Sequence, residues 1–185
     1  MSLVPVSLTH SPFKPEHNNS NWIFVLFFMI LVGGRGNGSP DGYVVDKTTD
    51  IGYRIFYQSQ TWPVARDKCE DDGAKLAVPK TLEEFSFMQK LVRGMHYPSI
   101  VDSEYQVVVW LGINNLDDYR VWKNIDGENI NETGFHEWAT GNGNGYSDAP
   151  EEPHCAGLDA VHWLRDFWCH RRQPYLCQIN LKNKI

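Results

Sequence analysis

The stretch CAGLDAVHWLRDFWCHRRQPYLC, residues 155–177, decides how this chain is read. It holds three of the four cysteines, Cys155, Cys169 and Cys177, while the fourth, Cys69, stands far upstream. The apolar pair Tyr175-Leu176 directly precedes the last cysteine, and that arrangement is not generic. Upstream of all four lies an apolar run from Trp22 to Val32. It is too short for a membrane helix, which needs about 20 apolar residues. Its length suits the apolar part of an export signal, followed by the small residues Gly33, Gly34 and Gly36. We therefore read residues 1–34 as a signal peptide, cleaved near Gly34 to Gly38, and the protein as secreted and extracellular. The competing reading is an uncleaved interfacial anchor, because the preceding segment is long and only weakly basic, with Lys14 offset by Glu16. No second apolar run follows, so stable membrane insertion is not expected.

Four cysteines in an exported chain imply two disulfides, and arithmetic alone allows three pairings. A zinc site is the alternative, since His154, Cys155, His162, Cys169 and His170 lie close in sequence. Their spacing matches no C-x2-C or H-x3-H pattern, and the compartment is oxidising. The formal charge of −6 is unchanged when residues 1–34 are removed, because Lys14 and Glu16 cancel. An acidic chain is a poor general binder of nucleic acid or of anionic membranes. The glycosylation pattern N-x-[ST] places acceptor candidates at Asn37 and Asn131.

Residues 35–50, rich in Gly, Asp and Thr, read as a linker; 51–180 read as one domain and 181–185 as a tail. Tyr53 to Tyr57 reads as a strand. Thr61 reads as a helix cap with Pro63 in the first turn, and Trp62, Ala65 and Cys69 recur at helical spacing until Gly73 ends the helix. Thr81-Leu82-Glu83-Glu84 is a capping box for a second helix with Phe85, Met88, Leu91 and Val92 on its apolar face. Residues 94–106 read as a long loop. Val107 to Leu111 reads as a buried strand, and turn signals at Asn114-Asn115 and Asp126-Gly127 bracket another around Val121-Trp122. Two helices followed by a loop-rich β half make an α+β domain.

These residues, taken in order, resemble the C-type lectin family over roughly residues 52–179. The resemblance rests on Trp62, Ala65 and Cys69, then Gly73-Ala74-Lys75-Leu76-Ala77, then Glu84 and Phe85. Trp110-Leu111-Gly112-Ile113 matches the family's Trp-Ile-Gly strand. Phe135 and Trp138 precede the long loop, and Cys155, Asp166, Cys169 and Cys177 close the domain. The resemblance implies a C-type lectin-like fold, with two helices flanking short antiparallel β-sheets, a long ligand loop and the disulfides Cys69–Cys177 and Cys155–Cys169. The segment from Leu111 to Trp138 is also similar to insect hemolymph lectins that bind lipopolysaccharide.

In sugar-binding members of that family, a Glu-Pro-Asn or Gln-Pro-Asp segment and a Trp-Asn-Asp segment hold calcium, and sugar hydroxyls complete its shell of about 6 to 8 oxygens. Here the first segment aligns with Asn142-Gly143-Asn144, so an amide replaces the carboxylate and glycine replaces the proline. Gly141, Gly143 and Gly145 are expected to make this loop floppy. The second segment aligns with Leu164-Arg165-Asp166. Arg165 has no acceptor atom and a permanent positive charge, so it cannot ligate calcium. The family's glutamate before Cys155 is Pro153, although Glu151 and Glu152 are close.

The resemblance thus assigns ligand-binding candidates Asn142, Asn144, Glu152, Arg165 and Asp166. Of these, Asn144, Glu152 and Asp166 are the residues left to hold a calcium ion in a degenerate site. Arg165, paired to Asp166, is an alternative source of positive charge. Together with His170, Arg171 and Arg172 it suits lipopolysaccharide or acidic sugars. The bland reading of Arg171 and Arg172 is a solvated turn. Trp163, Phe167 and Trp168 flank the site, and core filling is the favoured role for most of them. No nucleophile or phosphate-loop motif is present, and an acid–base pair such as Asp166 with His162 has nothing to orient it. The chain therefore reads as a binder and not as an enzyme. Two partner classes follow: microbial or host glycans, including lipopolysaccharide, or a protein bound without calcium on the same fold.

Overall fold

The computed structural model describes residues 41–104, 108–143 and 152–182. The signal-peptide segment, Asn37, Asn144 and Glu151 lie outside the described residues. The elements run β1 (Val44–Asp46), β2 (Ile51–Gln60), α1 (Trp62–Asp71), β3 (Lys75–Leu76), α2 (Leu82–Arg93) and β4 (Val108–Asn114). They continue with β5 (Lys123–Asn124), α3 (Ile130–Thr133), β6 (His154–Asp159), β7 (Arg165–Trp168) and β8 (Gln173–Asn180).

Both predicted helices form. In α1, Trp62, Ala65 and Cys69 are buried, as their spacing requires, and Gly73 follows in the left-handed region at φ 69°. Thr61 precedes the helix without making a side-chain capping bond. The capping box of α2 is present in altered form. Thr81 Oγ1 accepts from the Glu84 N–H at 3.2 Å, but Glu84 reaches back one residue further, to the Lys80 N–H at 2.7 Å. The described part of the 94–106 loop, residues 94–104, carries a 3-10 turn at Tyr97–Ser99.

Several boundaries move. The described end of the 35–50 stretch is not a linker: β1 pairs with β2 in antiparallel register, and Tyr43 and Asp46 are buried. Burial opposes the Asp46 charge, yet the amide and hydroxyl of Thr48 bond the carboxylate and hold its pKa below the usual range. The Val107–Leu111 strand continues to Asn114, and Val107 itself lies outside the described residues. The strand expected at Val121-Trp122 forms two residues later, because Trp122 turns inward and leaves Lys123 and Asn124 to pair with β4. A short third helix, α3, was not expected. In place of separate short sheets there is one eight-stranded sheet in the order β1-β2-β8-β4-β6-β7, with β3 on β8 and β5 on β4. All its strand pairings are antiparallel except the contact of β4 with β8 at Trp110 and Tyr175.

The alternation of β4 divides the interior. Val109, Leu111 and Ile113 enter one cluster with Phe85, Met88, Leu158 and Leu176. Trp110 points to the opposite face and joins Trp62, Tyr175 and all four cysteines. The disulfides are Cys69–Cys177 and Cys155–Cys169. Closing a separation of 108 residues, the first contributes up to about 5 kcal/mol by chain entropy, and the second, across 14, about 3 kcal/mol. Gly112 is required here, since a Cβ would stand 2.9 Å from the Leu76 carbonyl oxygen.

Candidate functional site

The candidate residues gather where the chain leaves Trp138 and returns through β6 and β7. Leu164 bridges the two segments: its N–H bonds the Glu137 carbonyl at 3.0 Å, and its carbonyl accepts from the Ala139 N–H at 2.9 Å. Beyond Ala139 the chain turns tightly. The Asn142 N–H returns to the Ala139 carbonyl at 2.9 Å, and Gly141 and Gly143 take φ of 80° and 77°. The Gly143 carbonyl accepts from the Trp122 indole at 2.7 Å. A Cβ on Gly143 would collide with the Trp138 ring. The described part of this loop is therefore pinned rather than floppy, and its glycines serve to make left-handed turns beneath a tryptophan. The same φ excludes proline, which is fixed near −65°.

Asn142 and Asp166 meet, but not as ligands to a third body. Asn142 Oδ1 accepts the Asp166 backbone N–H at 3.1 Å. The Asp166 carboxylate faces His154 Nδ1 at 3.2 Å, with the two side chains only 10% and 6% exposed. The Asp166–Arg165 pairing does not form. Arg165 turns instead to Asp159, at 3.5 Å, and lies over the Phe167 ring. The strand explains this: neighbours on β7 point to opposite faces, so Arg165 and Asp166 cannot share a partner side. Glu152 is exposed and lines a separate cavity with Thr61, Pro63, Trp168 and His170. Nor do the cations assemble. Arg171 bonds Glu104 at 2.6 Å and covers Trp168, while Arg172 is exposed.

Among the described residues, this donor set does not fit calcium. The ion needs about 6 to 8 oxygens. Among the described residues, one amide oxygen is spent on a backbone N–H, one carboxylate is engaged by an imidazole, and a guanidinium occupies the third position. No group of three or more His, Cys, Asp or Glu side chains among the described residues could hold a metal ion. The zinc alternative fails because both cysteines are oxidised. The Asp166–His162 pair is also absent, because each residue has another partner.

Sequence reasoning missed Asp159. Its carboxylate is buried and accepts the N–H groups of Val161 and His162, at 2.8 and 2.6 Å, and the His162 ring at 2.8 Å. Burial alone would raise its pKa, but these bonds outweigh it and hold the group below the usual carboxylate range. From α2, Gln89 donates to the His162 carbonyl at 2.8 Å and Arg93 to the Ala160 carbonyl at 2.6 Å. The 159–163 loop is thus clamped from inside while presenting exposed Val161, His162 and Trp163. Of the three flanking aromatics, Phe167 and Trp168 are half-buried, but Trp163 is 45% exposed. An Asp three residues before a His, at the end of a strand, was the signal that could have found this clamp.

Comparison with known proteins agrees with the architecture. The family model described as Lectin C-type domain matches residues 58–179. The hemolymph lipopolysaccharide-binding protein of Periplaneta americana is 23% identical over 144 residues, which is 77% of this chain and 54% of that protein. Across the curated relatives considered, the chain spans 26% to 54% of their length. Among solved structures, the mouse scavenger receptor C-type lectin carbohydrate-recognition domain superposes with a TM-score of 0.62 at 21% identity. That match covers 77% of this chain and 98% of the other. A calcium-independent type II antifreeze protein superposes with a TM-score of 0.59 at 18% identity, covering 77% and 95%. These two likenesses concern the fold alone.

Proposed function

The chain belongs to the C-type lectin domain family, and from that premise we propose that it is a secreted protein that binds microbial or host glycans, lipopolysaccharide among them, without calcium. The observation that carries the metal-free reading is the pairing at the loop base. Asp166 takes His154 as its partner, and Asn142 takes the Asp166 backbone, so two of the positions that the family resemblance assigns to calcium, Asn142 and Asp166, are engaged within the protein. A neighbour of the same fold is a calcium-independent protein, so the architecture does not demand the ion. Lipopolysaccharide is supported by the name of the hemolymph relative, and a role in innate immune recognition follows from that ligand. Arg165, one-third exposed, supplies positive charge toward anionic sugars. Among the described residues, no helix is long and apolar enough to cross a membrane. Asn131 is exposed on α3 and is proposed as a glycan acceptor, together with Asn37.

The second reading is a calcium-independent protein-binding module. The same loop-base pairing favours it, since an inward-facing site offers no hydroxyl-coordinating ion. The test is retention of the purified chain on immobilised lipopolysaccharide and neutral glycans, in calcium and in EDTA, with free sugar as competitor. Retention that survives EDTA, yields to free sugar and weakens in Arg165→Ala supports the proposal. Loss in EDTA returns the site to calcium. Absence of retention in both buffers moves the function to a protein partner.

A further inference from the structure

A groove of about 390 Å³ lies beside the loop base, lined by Thr81, Leu82, Phe135, His136, Glu137 and Trp163, with Lys80 at its rim. Trp163 stands three residues before Asp166, about 10 Å along an extended chain, so the groove is separate from the position the family uses for calcium. Its floor is fixed. The Trp163 ring is backed by Phe85 and Phe135, with centroids at 5.6 and 5.9 Å, and those two rings stack on each other at 4.3 Å. The backbone on either side of Trp163 is held through the His162 carbonyl and the Leu164 N–H. An aromatic plate presented this rigidly requires little ordering on binding. Leu82, 52% exposed, forms the apolar lip.

The rim is polar in a particular way. His136 Nδ1 lies 2.9 Å from the Gly134 carbonyl oxygen. A carbonyl only accepts, so Nδ1 carries the proton, and in the neutral ring Nε2 offers a lone pair. Glu137 is exposed and adds a carboxylate acceptor, and Lys80, 45% exposed and shared with Glu128 at 3.0 Å, adds a donor. An apolar plate with acceptors and a donor around it matches a ring that has one C–H face and a girdle of hydroxyls. A wholly apolar peptide would desolvate Glu137 and Lys80 without replacing their hydrogen bonds. An anionic ligand would meet the Glu137 charge. The volume sits at the low end of the roughly 300–1,000 Å³ of small-molecule sites.

We infer that this groove is a calcium-free binding site for a neutral pyranose sugar, with Trp163 as the stacking platform and Glu137 and His136 as hydroxyl acceptors. The inference rests on the glycan-binding reading above and locates it on a different surface.

The test is a proton–nitrogen spectrum of the ¹⁵N-labelled chain in EDTA, titrated with methyl α-mannoside, N-acetylglucosamine and galactose. The Trp163 indole signal is assigned by its loss in Trp163→Phe. The expected result is a saturable shift of that signal with at least one sugar. Followed on the backbone amides of residues 134–137 and 162–164, affinity should fall about tenfold in Trp163→Ala, fall severalfold in Glu137→Gln, and be largely restored in Trp163→Phe. Glu137→Gln changes an exposed group, so it keeps the test decisive should Trp163→Ala disturb folding. Saturable shifts confined to residues 139–143 and 164–166, with Trp163 unmoved, overturn the groove and leave the glycan-binding reading intact. Retention on immobilised glycans with an unmoved Trp163 does the same. No shift anywhere, together with no retention on lipopolysaccharide or mannan, overturns both.

Discussion

Two regions about 10 Å apart along the chain are built in opposite ways. At the loop base, Asn142 Oδ1 takes the Asp166 N–H, the Asp166 carboxylate faces His154 Nδ1, and the Gly143 carbonyl takes the Trp122 indole. At the Trp163 groove, the backbone is clamped from within by Asp159, Gln89 and Arg93, and the side chains face outward. The contrast teaches that retaining a family residue is not the same as retaining its role. The family resemblance puts Asp166 at a metal-ligand position, yet its carboxylate faces His154 inside the protein. If that division is right, substitutions at the base should cost stability, and substitutions in the groove should cost binding.

The sharpest break is Gly143→Ala. A left-handed backbone costs a residue with a Cβ about 1 to 2 kcal/mol, and crowding the Trp138 ring adds about 1 to 3. A loss of about 2 to 5 kcal/mol in chemical denaturation is expected, with sugar binding unaltered in the molecules that remain folded. Next is His154→Ala, which leaves the Asp166 carboxylate buried without its imidazole partner. The expected loss is about 3 kcal/mol. A neutral effect would mean that the pairing does not hold the base together.

Asp159→Asn removes the charged acceptor that braces two N–H groups, with an expected cost of about 1 to 2 kcal/mol. The same carboxylate sets a pH window. Its pKa is depressed in the folded chain, so its contribution is complete above the unfolded value of about 3.9 and disappears as pH falls through the lower folded value. Thermal melts of wild type and Asp159→Asn should therefore differ at neutral pH and begin to converge only as pH falls below about 4, through the lowered folded value. The smallest expected stability effect is that of Glu137→Gln in the groove, within about 0.5 kcal/mol because the group is exposed. A large stability loss there, with binding intact, would reverse the comparison.

The sequence announced the scaffold more clearly than the site. Helical spacing at Trp62, Ala65 and Cys69 and the capping signal at Thr81 are local, and each appears where its pattern puts it. The bridge of Cys69 to Cys177 followed from family resemblance and not from spacing. What stayed hidden depends on contacts between distant residues. Asn142 and Asp166 are 24 positions apart, and the choice of Arg165 between Asp159 and Asp166 depends on which face of β7 it occupies. The strand inside the expected linker was hidden because it is only three residues long, ends in the turn-type residue Asp46, and is flanked by Gly42 and Thr48. For Trp163, Phe167 and Trp168, core filling is the reading favoured for most of them, because composition cannot say which ring of a cluster ends at the surface.

The central claim is that the protein's own groups close the calcium position. Its most direct test is calcium titration of EDTA-stripped chain by calorimetry, paired with thermal melts. The account predicts no saturable heat up to millimolar calcium and the same melting temperature in calcium and in EDTA. Saturable binding, with a stability gain approaching about 2.7 kcal/mol at a hundredfold excess over Kd, would contradict it.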